Sequence, residues 1–314
     1  HVHVSDVDDD GAGRGDILGP LLDVLDQSGA DLRPVLSVDL PWVRRMAARA
    51  EEVIAGNRFV RDLVRRAPGR LLGSCTVNPH FPAASREAMR LCFEAWGFRQ
   101  LGEMLPYLMD YRMDTPPVRE LVRAAADYGV PVQVHISTSN RGPQGPFPGG
   151  GTEQLEDLMD LVEQVPEARY ILAHLVGTER ADPPVVAGYL DQVEARFGRW
   201  PDPFWAEIRD FNSPGVAVAL ERIPRDRIVA GTDWVSRGGP PFLPYGIIFG
   251  VADPAANPYP PGVESLVGFL RDAGASDADI ERIGFGNAAA LLGVQPPPPR
   301  LPRPLPRGDR RDAR

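Results

Sequence analysis

From residue 32 to residue 234, short apolar runs rich in β-formers alternate with longer amphipathic ones, and few folds accept that rhythm. The candidate strands are "LRPVLSV" (32–38), "RLLGSCTV" (70–77), "FRQLGEML" (98–105), "VPVQVHIS" (130–137), "ARYILAHL" (168–175), "FWAEIRDF" (204–211) and "DRIVAGTDW" (226–234). Their nearly unbroken hydrophobicity suits strands covered on both faces. Helical patterns cover 17–28, 42–66, 83–95, 117–128, 152–165, 185–197, 213–222 and 263–273, and a last one covers 277–293. Strand–helix alternation of this kind predicts a parallel α/β sheet. The opening "HVHV" reads as the end of one more strand, truncated at its N-terminal side, so the expectation is that residues precede His1. Eight strand–helix units in 314 residues predict a (β/α)8 TIM barrel over 1–294.

At residue 295 the composition changes. "QPPPPRLPRPLPRGDRRDAR" (295–314) holds six arginines against two aspartates, a local +4 on a chain of net charge −9. Its prolines oppose helix and sheet alike, which predicts an extended, disordered Pro/Arg-rich tail. The chain has no lysine, which removes Schiff-base, carbamylated-lysine and P-loop chemistry. An acidic chain lacks the positive footprint of a nucleic-acid binder. No apolar run is long enough to span a membrane. Cys75 and Cys92 do not form a disulfide framework and read as free thiols in a reducing cytoplasm.

The chain holds five histidines. His1 and His3 stand at i and i+2, which on a strand turns both side chains to one face. His135, His174 and Asp233 each follow an apolar strand run near its C-terminal end. In a parallel barrel those ends converge on one mouth, where active sites form. Four imidazoles and a carboxylate meeting there suit a transition metal with an open position for water. His80, in "VNPHFP", falls outside this pattern and reads as a loop residue.

With these residues in place, the chain resembles the amidohydrolase superfamily. "HVH" matches strand 1, "VQVHIS" strand 5, "ILAHL" strand 6 and "VAGTDW" strand 8. "RLLGSCTVNPH", "YGVPVQVH" and "GNAAALLG" resemble the branch that includes aminocarboxymuconate semialdehyde decarboxylase and resorcylate-type decarboxylases. The resemblance implies that His1, His3 and His135 are metal ligands. It implies that His174 is a second-metal ligand or positions the bound water, and that Asp233 holds metal and shuttles a proton. Glu103, in "QLGEMLPY" at the end of the fourth strand, resembles the bridging glutamate of deoxyribonuclease-like metallohydrolases. Its alternative role is to pair with an arginine or to orient a ligand.

The expected function is metal-dependent hydrolysis of an amide, ester or lactone in a small molecule, with zinc, manganese or iron present as one or two ions. Non-oxidative decarboxylation of an aromatic or unsaturated acid is the alternative. A barrel scaffold with a partner-binding tail is the non-enzymatic reading. Arg141, in the Gly/Pro-rich stretch 139–151, and Arg237, after strand 8, are candidates for binding a substrate carboxylate. Trp234 is a candidate pocket wall, and a homodimer is the family expectation. "DVDDDG" (6–11) opens like a calcium loop, but its twelfth position is Ile17 where a bidentate glutamate is needed, so that reading fails.

Overall fold

The computed structural model describes residues 1–8, 10–27, 32–136, 145–176, 183–208, 215–235 and 263–295. Nine strand segments form its sheet: β1 (Val2–Val4), β2 (Val35–Val38), β3 (Leu72–Cys75), β4 (Gln100–Met104), β5 (Val132–His135), β6 (Tyr170–Val176), β7 (Phe204–Ile208), β8 (Ile228–Ala230) and β9 (Trp234–Val235). The order is β8-β7-β6-β5-β4-β3-β2-β1-β9, and every pairing is parallel. The two outermost segments belong to one stretch of chain, Ile228–Val235, which pairs first with β7 and then with β1. Between them, the Gly231 amide still donates to the Ile208 carbonyl, and the Thr232 hydroxyl donates to the His1 carbonyl. Together β8 and β9 make the eighth stave, and the protein is an α/β barrel with a short first strand.

The helices are α1 (Leu18–Gln27), α2 (Leu40–Ala48), α3 (Ala50–Arg66), α4 (Pro82–Arg90), α5 (Pro106–Met109), α6 (Pro116–Asp127), α7 (Gly151–Gln164), α8 (Pro183–Phe197), α9 (Gly215–Arg222), α10 (Val263–Asp272), α11 (Asp277–Glu281) and α12 (Asn287–Leu292). One expectation is corrected. The helix predicted over 42–66 is two helices, broken at an extended Arg49. In the folded chain Trp42 stacks on Phe59 with ring centroids 5.9 Å apart. One straight helix would hold those residues roughly 25 Å apart at 1.5 Å per residue. The helical pattern predicted over 277–293 is present as an unbroken run of α11, a π-turn at Arg282–Gly286, and α12.

Buried amides seat the helices on the barrel. Asn57 of α3 donates to the Thr76 carbonyl and accepts from the Thr76 amide, gripping the chain just after β3. Asn287 donates to the carbonyls of Arg225 and Ile228, fixing α12 beneath β8. Such paired groups avoid the desolvation cost of a buried amide. Below the site, Ile171, Val229 and Leu291, with Trp205 and Ala288 against them, form a small apolar cluster between strands and α12. Trp205 and Glu207 share one face of β7, and Gln133 and His135 share one face of β5. The barrel interior thus changes from apolar to polar toward the C-terminal ends of its strands.

Candidate metal centre

Four side chains from three parts of the sheet converge. His1 immediately precedes β1 and His3 lies within it, Glu103 comes from β4, and Asp233 from the turn between β8 and β9. One donor atom of each lies within 4.8 Å of the others. The His3 Nε2 is 3.0 Å from Glu103 Oε2 and 3.1 Å from Asp233 Oδ1. The His1 Nε2 is 3.1 Å from the same Asp233 oxygen and 3.6 Å from Glu103 Oε2. The two imidazoles meet edge to face, with centroids 5.1 Å apart, as the i, i+2 spacing requires.

The hydrogen bonds at the backs of the rings favour the same tautomer in both. His3 Nδ1 lies 3.0 Å from the Val38 carbonyl, which can only accept, so Nδ1 carries the hydrogen. His1 Nδ1 lies 2.7 Å from Glu207 Oε1, an acceptor, and 2.9 Å from the Gln133 side-chain nitrogen; the shorter contact to the carboxylate favours the hydrogen on Nδ1, with the Gln133 amide donating to Glu207 Oε2. Each neutral ring therefore turns the lone pair of Nε2 toward Glu103 and Asp233. That is the orientation a metal requires of an imidazole.

Charge supports the same conclusion. With both rings neutral, Glu103, Glu207 and Asp233 would put three negative charges into a nearly closed space. Burial works against charge on either ring, yet the carboxylates prevail. Glu207, Asp233 and Glu103 hold His1 well above the ordinary imidazole range, and Asp233 and Glu103 lift His3 to about 10. Without a metal, these carboxylates favour protonation of the two rings. A divalent cation satisfies the same carboxylates and uses both lone pairs, so the donor set fits a metal.

Backbone geometry serves this arrangement at three residues. Asp233 sits at φ 50°, a left-handed conformation that aspartate tolerates better than most residues. Gly231 faces Glu207 closely enough that a Cβ there would overlap the carboxylate. Gly102, at φ 119°, lets β4 lie against the Gln133 carbonyl of β5, where any side chain would collide.

His135 is placed beside the cluster, with Nδ1 3.0 Å from Glu103 Oε1, and Tyr107 stacks on its ring at 4.4 Å between centroids. Glu103 thus directs one oxygen to His3 and the other to His135. The backbones of His174 and Trp234 lie in β6 and β9, while their side chains lie outside the described residues, as do Arg141 and Arg237. His80 holds Nε2 3.2 Å from the Met109 carbonyl and 3.0 Å from that of Asp110. The acidic run after β1 folds back on itself, with a bridge between Val7 and Gly13, and Arg14 pairs with Asp8.

Sequence reasoning missed a chain of buried polar groups beneath the cluster. Gln100 donates to Gln133 at 2.6 Å, and Gln133 donates to Glu207 Oε2 at 3.0 Å. The signal was available: Glu207 is a charged residue inside the apolar run "FWAEI", and Gln133 stands two residues before His135.

In (β/α)8 enzymes the active site is built where the strands of the barrel converge on one mouth, and a donor cluster inside such a barrel is a candidate for that place. The protein-family model described as Amidohydrolase matches residues 1–294, and the chain belongs to that family. A search of curated proteins found no sequence match. Among solved structures, 2,6-dihydroxybenzoate decarboxylase from Rhizobium superposes with a TM-score of 0.61 at 19% identity, covering 88% of each chain. A dihydroxybenzoic acid decarboxylase from Polaromonas, with bound manganese and the inhibitor 2-nitroresorcinol, gives 0.60 at 18% identity over 88% of this chain and 86% of that one. A 4-oxalomesaconate hydratase from Rhodopseudomonas palustris gives 0.62 at 13% identity over 88% and 81%. No helix among the described residues is long and apolar enough to cross a membrane.

Proposed function

We propose that this chain is a metal-dependent hydrolase acting on an amide, ester or lactone of a small molecule, with one or two divalent ions that Glu103 would help to hold. The observation that carries this reading is the convergence of His1, His3, Glu103 and Asp233 with both Nε2 lone pairs turned inward. His1, His3, Asp233 and Glu103 Oε2 would hold one ion. Glu103 Oε1 and His135, joined by His174, would hold the other. Zinc, manganese and iron all accept this mixed nitrogen–oxygen donor set, and the Polaromonas relative makes manganese the first ion to test beside zinc. Bound there, divalent ions supply Lewis acidity and lower the pKa of water.

The side chain of Asp233 is 13% exposed, against 8% for His3 and 1% for Glu103, so it is the cluster carboxylate that a substrate water can reach. It takes the proton of the attacking water and returns it to the leaving group. The ring of Tyr107, stacked on His135, limits rotation of that imidazole. Arg141, Arg237 and Trp234 are proposed to hold and cover the substrate.

A second reading, non-oxidative decarboxylation of an aromatic or unsaturated acid, is favoured by the fold shared with the two decarboxylases. Two measurements separate them. Wild type is expected to carry two ions per chain by plasma mass spectrometry, and Glu103→Ala at most one. One ion in both proteins would remove Glu103 from the ligand set and put decarboxylation level with hydrolysis. In water enriched in oxygen-18, hydrolysis places one heavy oxygen in the organic product, whereas decarboxylation places none there and releases carbon dioxide.

A further inference from the structure

Glu207 belongs to none of the motifs that carry the family resemblance, and it is 2% exposed inside the barrel. It is not one of the four converging donors. Its two oxygens are nevertheless both committed. Oε1 accepts from His1 Nδ1 at 2.7 Å, and Oε2 accepts from the Gln133 amide at 3.0 Å. Gln133 cannot turn its amide over without cost, because its own oxygen accepts from Gln100 at 2.6 Å. The orientation is therefore transmitted from β4 through β5 to β7, and from β7 to the ring of His1.

A second feature points the same way. Gly231 stands where any side chain would occupy the space of the Glu207 carboxylate. Two residues further on, Asp233 meets the opposite nitrogen of the same His1 ring at 3.1 Å. The turn between β8 and β9 thus makes room for the carboxylate behind His1 and supplies the one in front of it.

We propose that Glu207 is the positioning residue for His1, fixing the Nδ1–H tautomer and the ring plane so that Nε2 is presented to the metal; this rests on the metal-centre reading above. A carboxylate behind a metal-binding imidazole fixes the ring and makes it a stronger donor, and its loss typically costs 10–100-fold in metal affinity. Glu207 touches neither ion nor substrate in this scheme. Its effect is exerted through His1.

The test measures manganese and zinc affinity by calorimetric titration of the metal-free full chain, with the visible spectrum of the cobalt-substituted protein as a probe of ligand geometry. Glu207→Ala is expected to bind 10–100-fold more weakly and to shift the cobalt spectrum. Glu207→Gln, which keeps an acceptor oxygen for Nδ1–H, recovers most of that loss. Gly231→Ala leaves the carboxylate in the chain but takes its space. It is expected to weaken binding as well, and it serves as the decisive variant if Glu207→Ala does not fold. His3→Ala, which removes a proposed ligand, controls for the underlying reading. If wild type and His3→Ala bind equally, the metal-centre reading fails. If His3→Ala loses the metal while Glu207→Ala or Gly231→Ala keeps wild-type affinity and spectrum, the positioning role is overturned and the metal centre stands. A lowered melting temperature with unchanged affinity is likewise the signature of a merely structural residue and overturns the proposal.

Discussion

Asp233→Asn is expected to lower kcat by about 10³-fold or more while the protein keeps at least one metal ion per chain. The substitution preserves the shape of the side chain and an oxygen that can still face His1 and His3, each 3.1 Å away. What it removes is basicity, because an amide oxygen cannot hold a proton from water near neutral pH. Proton transfer by a positioned side chain contributes about 10²–10⁴ in rate. The expected loss lies in the upper part of that range because Asp233 is the cluster's most exposed carboxylate. Glu103, at 1% side-chain exposure, is too enclosed to replace it. Turnover within about tenfold of wild type, measured with metal content checked on the same sample, would sink the assignment of Asp233 as the proton shuttle.

The path from sequence to this cluster was short where period and strand order carry the information. Alternation of apolar and amphipathic runs specified a parallel barrel, because each strand covered on both faces needs a crossover helix. The i, i+2 spacing of His1 and His3 places two rings on one face at any twist a strand adopts. Glu103 and Asp233 were visible as polar residues at the ends of apolar runs. The rest depends on contacts that no local pattern encodes. Arg49 interrupts the helix predicted over 42–66 without a proline or glycine, because Trp42 must fold back onto Phe59. The eighth stave divides into β8 and β9 where Asp233 turns left-handed. Glu207 is one charged residue in an apolar strand. Its partners, Gln133 on β5 and His1 across the barrel, 206 residues away in sequence, are set by the fold alone.

Metal uptake by the metal-free protein is expected to release protons and to tighten steeply with pH. The groups facing His1 and His3 are Glu103 from β4, Glu207 from β7, Asp233 from the turn after β8, the Ser37 hydroxyl and Val38 carbonyl from β2, and the Gln133 amide from β5. Burial disfavours both imidazolium ions. The carboxylates outweigh it, so His1 lies well above its ordinary value of 6.5 and His3 rises to about 10. Protonated rings bind no metal, so an ion must displace up to two protons. Between pH 6.5 and about 10, the proton displaced from His3 makes the apparent affinity rise by about tenfold per pH unit, and a proton displaced from His1 steepens that rise. Calorimetry in buffers of different ionisation enthalpy counts the protons directly. The same shifts set the stability of the metal-free protein. A pKa raised on folding stabilises fully below the unfolded value, and that contribution is lost as pH climbs through the folded one. The melting temperature of the metal-free protein is therefore expected to fall from pH 6.5 toward 10, while the loaded protein, in which the ion replaces both protons, stays nearly level. Uptake without proton release and with an affinity flat in pH would mean that the rings are neutral before the metal arrives. The three carboxylates would then have some other counter-charge.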